Sequence, residues 1–186
     1  MRFKRLTLNE YILTKLGIEY VDDIRKYVKS SNTICGITIA DLTECSYQDV
    51  KHVIPSLIDS NDYEEVILRV LQTTKKKITL RMVFAAKPHD RLLFLFWIQE
   101  QYKQINTLEE RLLTSSPAPE QINAGIHTLN VLGDVNIIDV IAGGDITKWA
   151  EIRNMPYGRI FEKQYRGVLM DAITQKMESN RKNKRK

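Results

Sequence analysis

Cysteine is scarce in this chain: Cys35 and Cys45 are the two among 186 residues. There is no CxxC pair, and the only histidines are His52, His89 and His127, widely spaced. Structural zinc takes about four ligands, usually in close pairs, so no metal is expected. A disulfide scaffold is excluded on the same ground, and two thiols outside any framework suit a reducing compartment. Eight glycines and five prolines are too few for collagen or low-complexity sequence. Long apolar runs are also missing. The longest, residues 92–98, has seven residues where a membrane span needs about 20. No apolar stretch follows Met1-Arg2-Phe3-Lys4-Arg5, so neither a secretory signal nor membrane association is expected.

Basic charge looks plentiful, with 28 Lys and Arg against 23 Asp and Glu. Its distribution is uneven. Five of the basic residues, Arg181, Lys182, Lys184, Arg185 and Lys186, fall in the last six positions, and the rest of the chain balances at 23 of each sign. A basic surface over the whole fold is therefore excluded. A basic tail, residues 181–186, can touch phosphates or an acidic partner, or can simply be solvated. The body, residues 1–180, has the size of one ordinary domain and enough chain to bury a core without metal or disulfides.

The expected fold class is mainly α: a compact helical domain of about seven or eight helices, with at most a short β element at 37–39 or 78–84. Thr7 and Glu10 have capping-box spacing and open a helix over about 8–16 that stops at Gly17. A second helix is expected over about 20–29, then a loop over 30–36. Val50, Val53, Ile54 and Leu57 share one face of a helix beginning at Ser46 or Tyr47, with Pro55 kinking or ending it. Asn61 and Glu64 repeat the capping-box spacing before Val66, Ile67, Val70 and Leu71. Lys75-Lys76-Lys77 divides the chain, so that residues 1–74 can form an N-terminal subdomain. Ile78, Leu80, Met82 and Phe84 alternate as a strand would, or belong to the next helix.

Residues 88–113 read as the central helix. Its apolar run over 92–98 should be buried on every side, while Thr107 and Glu110 suggest a break near Asn106. Ser115-Ser116-Pro117-Ala118-Pro119 reads as a loop, and a helix carrying Ile122, Ile126 and Leu129 follows. Residues 136–142 form a short helix closed by Gly143-Gly144, and Asp145 caps the next, which holds Ile146, Trp149 and Ile152. Pro156 starts the last helix, with Ile160, Tyr165, Val168, Leu169 and Ile173 directed inward.

Chemistry-bearing constellations are absent. Gly143-Gly144-Asp145 lacks the Lys-Ser/Thr continuation of a phosphate loop, and its carboxylate would repel phosphate. The carboxylate pairs Asp22-Asp23, Glu64-Glu65 and Glu109-Glu110 are sequence neighbours, which do not face each other on a helix. Cys45 and His52, on one helix, would stand about 10 Å apart at roughly 1.5 Å per residue, too far for a nucleophile and its base. Neither enzymatic activity nor a cofactor is expected.

The punctuation from Ala124-Gly125-Ile126 through Leu132-Gly133, Ala142-Gly143-Gly144-Asp145 and Trp149 to Met155-Pro156-Tyr157, with the opening Ile37-Thr38-Ile39-Ala40-Asp41-Leu42, resembles small helical morphogenesis proteins of tailed bacteriophages. The nearest likeness is to tail assembly chaperones. The long apolar segment over 92–98 departs from their pattern, which leaves a head–tail connector or ring component as the second form. The resemblance implies a role without catalysis. Partners would be other phage structural proteins, in a homo-oligomer or ring, in the bacterial host cytoplasm during assembly or in the virion. Tyr157, Phe161 and Tyr165, at i, i+4 and i+8, are the candidate partner anchors, with the core as their other use.

The competing function is that of a small nucleic-acid-binding accessory protein using the tail, including non-specific contact with DNA. Because the excess charge is terminal, deleting residues 181–186 should abolish any retention of DNA at low salt. Fluorescence anisotropy across a salt series checks this, and binding that survives the deletion would place the contact on the body.

Overall fold

In the computed structural model the described residues are 7–12, 25, 28–74, 77–113, 122–123, 125, 128 and 131–183, with side chains to 181. Their contacts separate two units, Met1–Gln104 and Ile105–Lys186. The division falls within the long central helix and not at the lysine run, because the residues on either side of that run pack into the same unit.

The first unit opens with α1 (Leu8–Tyr11), whose capping box forms as the sequence predicts: Thr7 accepts from the Glu10 amide, and Glu10 reaches back to the Thr7 amide at 2.8 Å. The continuation of this helix to residue 16 and the helix over 20–29 lie outside the described residues, apart from isolated positions. Next comes a hairpin, β1 (Thr33–Ile34) and β2 (Ile37–Thr38), with Thr33 opposite Thr38 and Ile34 opposite Ile37. The expected loop over 30–36 therefore contains a strand and a two-residue turn. Cys35 and Gly36 both take positive φ, 54° and 69°, the left-handed pair that suits a strand's right-handed twist. Ile34, Ile37 and Ile39 point into the core.

After a 3-10 turn (Leu42–Glu44) the chain enters a helix whose segment Asp49–Val53 is widened to π geometry before α2 (Ile54–Asp59). Pro55 explains the widening. It has no N–H to offer the Lys51 carbonyl and its ring would collide with that carbonyl in a regular α-turn. The Ile54 amide instead bonds Asp49, five residues back, and the helix continues without stopping. The Tyr102 hydroxyl donates to the Val50 carbonyl in this wide turn.

Helix α3 (Tyr63–Leu71) buries Val66, Ile67, Val70 and Leu71 completely, as their spacing predicts. Its start differs from expectation. Asp62 is the cap residue, without a side-chain capping bond, and Glu64 does not reach back to Asn61. The Glu64 carboxylate turns inward, accepts the Leu8 amide at 2.5 Å and pairs with the Arg91 guanidinium. Both charges are buried, and Arg91 also stacks over the Phe84 ring at 5.7 Å. One ion pair thus ties α1, α3 and the start of the central helix together.

Residues 78–84 resolve in favour of helix. Thr79 is extended, and α4 (Leu80–Ala85) follows. Val83 is buried while Leu80 and Met82 are exposed, so the apparent alternation does not correspond to a strand face. Central helix α5 (Pro88–Leu112) runs unbroken past Asn106, so the break expected from Thr107 and Glu110 does not occur. Leu92, Phe94, Leu95, Phe96, Trp97 and Ile98 are buried, whereas Leu93 is half-buried, so the run is covered on most sides but not on all. Phe94 and Trp97 pack with ring centroids 5.4 Å apart.

The loop at 115–119 and most of the helix expected around Ile122, Ile126 and Leu129 lie outside the described residues. In the second unit, α6 (Asp134–Ala142) ends at Gly143, which takes φ 69° and closes the helix as its sequence announces. A 3-10 turn (Ile146–Lys148) capped by Asp145 leads into α7 (Trp149–Asn154), and α8 (Tyr157–Asn183) follows. The described residues thus form a mainly α fold with one two-stranded sheet. The described helices include none long and apolar enough to cross a membrane.

Arg91→Ala should destabilise the first unit by about 3–5 kcal/mol, since it strands the buried Glu64 carboxylate. A joint Glu64→Gln, Arg91→Met change should cost less than Arg91→Ala alone, because no unpaired charge remains. Urea denaturation followed by circular dichroism measures both.

Candidate functional site

Length sets the geometry of the second unit. Helix α8 has 27 residues, whereas α6 has nine and α7 six. At about 1.5 Å per residue the long helix extends roughly 40 Å, against about 14 Å for α6. Among the described residues, its N-terminal part is the part that finds cover. Tyr157 and Ile160 are buried, and the Tyr157 hydroxyl donates to Glu109 at 2.7 Å. Past Val168, every described side chain of α8 is exposed.

The candidate anchors Tyr157, Phe161 and Tyr165 do form one stripe, with successive ring centroids 6.1 and 6.4 Å apart. Tyr157 is inside the unit, however, and the other two rings are half-buried. Leu169 and Ile173, expected inward, are outward. With them stand Met170 and Met177, and Met170, Ile173 and Met177 remain 54%, 53% and 54% exposed. These three sit at i, i+3 and i+7, a single helical face. Toward the helix start the face continues through Arg166, Lys163 and Arg159, and toward its end through Arg181, at spacings of three or four. Arg181 belongs to the helix and not to a free tail, Lys182 is also within its bounds, and Lys184, Arg185 and Lys186 lie outside the described residues.

Two depressions flank α8. One, about 550 Å³, lies against Arg159, Glu162, Arg166 and Met170, and shares Lys163 and Gly167 with the other. The other is a groove of about 390 Å³ between α6 and α8, with Ile137, Val140 and Ile141 facing Gln164, Gly167 and Val168. Asp171 also lines this groove. Val140 is 69% exposed although it lies on an apolar helix, and Ile146, just beyond the glycines, is 67% exposed. Space over Gly167 is open, since an added Cβ would meet no atom within 4 Å.

Polar contacts fix the groove's rim. Lys163 donates to the Ile141 carbonyl at 2.9 Å, near the negative end of α6, where a cation is favoured. The Trp149 indole donates to Asp139 at 3.3 Å. Asp145 accepts from the Thr147 hydroxyl at 2.6 Å and its amide at 3.0 Å, and pairs with Lys148 at 3.2 Å. The hydrogen bond from the Thr147 side chain, then that from Lys148, hold its carboxyl below the usual carboxylate range. The arrangement is apolar surface with a charged edge.

Elsewhere the nucleophile candidates separate. Cys45 is buried, and burial, reinforced by Asp49, Asp41 and Glu44, pushes its thiol up to about 12. His52, by contrast, is exposed. Among the described residues no group of three or more His, Cys, Asp or Glu could hold a metal ion. The outward face of α8 escaped sequence reasoning because periodicity identifies a common face without saying whether anything covers it. The length difference between α8 and its neighbours was the available signal.

Native protein should release one equivalent of thiolate-reactive cysteine, Cys35, to a disulfide reagent at pH 8, and Cys45 only after denaturation. Two fast equivalents in the native state would contradict the burial of Cys45. Comparison of the chain with protein families, with characterised proteins and with solved structures finds no match.

Proposed function

We propose that this chain is a non-enzymatic assembly or structural protein that works by protein–protein contacts, in the morphogenesis of a tailed bacteriophage. The observation that carries the contact role is the uncovered face of α8, where Met170, Ile173 and Met177 stand exposed on a continuous stripe. Methionine adapts to irregular partner surfaces and is common at interfaces. A helix laid into an apolar groove is a recurrent recognition mode, read through residues at i, i+3, i+4 and i+7. The phage setting rests on the helix punctuation, of which Gly143, Gly144 and Asp145 form a closed helix end followed directly by a new cap. Other virion proteins are the partners this role requires, with a tail assembly chaperone or a head–tail connector component as its two forms.

The test is co-expression with the structural proteins encoded beside this chain, followed by hydrogen–deuterium exchange. Complex formation with slowed exchange over residues 165–178 is expected. Absence of any complex, together with a source genome that carries no phage genes, would overturn the proposal.

A further inference from the structure

The basic cluster over 181–186 and the bare half of α8 belong together. Helix α8 runs to Asn183, so Arg181 and Lys182 continue it. Over 169–186 the sequence has six basic residues against two acidic. The same stretch leaves Leu169, Met170, Ile173 and Met177 between 47% and 54% exposed. Apolar side chains in water and a run of cations thus occur on one helix, and the assembly role uses the first without the second.

Their arrangement round the helix is one-sided. At about 100° per residue, Leu169, Met170 and Met177 stand within about 60° of Ile173, and the cations Arg166, Lys176 and Arg181 within about 80°. The acids of the bare half, Asp171 and Glu178, stand roughly 160° and 140° away. The third acid of α8, Glu162, is on the side of Ile173 but precedes the bare half, and it lines a depression with Arg159, Lys163 and Arg166. Past Val168 every described side chain of α8 is exposed, so the face is open along its length.

We propose that the later half of α8 is an interfacial helix that lies along an anionic lipid surface, with Leu169, Met170, Ile173 and Met177 inserted below the headgroups and the cluster over 181–186 set against them. A surface that satisfies both sets at once must offer an apolar phase beneath a layer of negative charge, and a bilayer containing anionic lipid is that surface. Duplex nucleic acid supplies the charge without the apolar phase and leaves four apolar side chains in water. A second copy laid face to face along α8 would set cations against cations. The cations of 181–186 follow no helical period, so a rigid groove would meet only some of them, whereas mobile headgroups gather round the cluster. Lying in the interface needs no span, and none of the described helices crosses a membrane. The two signals act together: four apolar side chains insert weakly, and each Lys or Arg near an anionic surface strengthens binding by about fivefold. This goes beyond the assembly role and adds an exclusion to it, since a virion protein seated on Met170, Ile173 and Met177 would displace the lipid.

The test is flotation of the full chain with vesicles of phosphatidylglycerol and phosphatidylcholine in equal parts, and with vesicles of phosphatidylcholine alone. Binding to the anionic vesicles only is expected, weakening as salt rises. Ile173→Asp, at an exposed position, should lower it by about tenfold, and removal of residues 181–186 by more than about a hundredfold. Ile173→Trp should raise it, because the indole favours the interface, and loss of folding cannot imitate that gain. Circular dichroism should show all three variants folded. A folded full chain that ignores anionic vesicles would overturn the proposal. Should Ile173→Asp bind as tightly as the unmodified chain, or Ile173→Trp no more tightly, the contact is one of charge alone, such as duplex DNA also makes, and the proposal falls. None of these results touches binding to virion proteins, which the co-expression experiment decides separately.

Discussion

A helix can bury only as much of itself as its neighbours are long enough to cover. That constraint shapes the second unit. Helix α8 outruns α6 and α7 several-fold, so its aromatic start is packed and its later half is bare. The apolar side chains on that bare half are too regularly spaced to be scattered surface residues. They continue a face whose ends are cationic, beside a groove whose floor is apolar. The exposure of this later half goes with one mismatch in length.

The first unit is governed differently. Its centre is a buried ion pair, Glu64 with Arg91, and not a simple apolar contact. The pair satisfies the Leu8 amide at the start of α1 and anchors the beginning of α5, so three elements distant in sequence share one electrostatic knot. Such a pair adds little net stability over an apolar substitute, but it penalises misregistered packing, which would leave a charge alone in the core. Around it the apolar run of α5 supplies the cohesion, through Phe94, Leu95, Phe96 and Ile98.

Local chemistry made much of this fold legible. The Thr7–Glu10 box, the α3 face, the burial of most of the run over 92–98 and the Gly143-Gly144-Asp145 junction depend on neighbours within a few positions, and each forms as its sequence suggests. What sequence could not display was long-range partnership. Glu64 has the spacing of a cap residue, yet Arg91, 27 positions away, offers its carboxylate a stronger partner. Thr33 and Ile34 are too short a run to announce a strand, and pairing with Ile37 and Thr38 defines one. For the candidate site the stripe of Tyr157, Phe161 and Tyr165 was legible as a stripe, but which of its rings are covered depends on long-range partners such as Glu109, which no local pattern encodes.

The wide turn over Asp49–Val53 has a consequence for how this sequence can vary in length. A turn closed between residues five apart accommodates one residue more than an α-turn does, while the helix on either side keeps its direction toward the core. Removing a single residue there, in a chain with another residue in place of Pro55, would let the segment tighten to ordinary α geometry. The same deletion within α3 or the apolar run of α5 would rotate every later side chain by about 100° and turn a buried face to water. Single-residue gaps between positions 49 and 53 are therefore expected together with loss of the proline that holds the turn open.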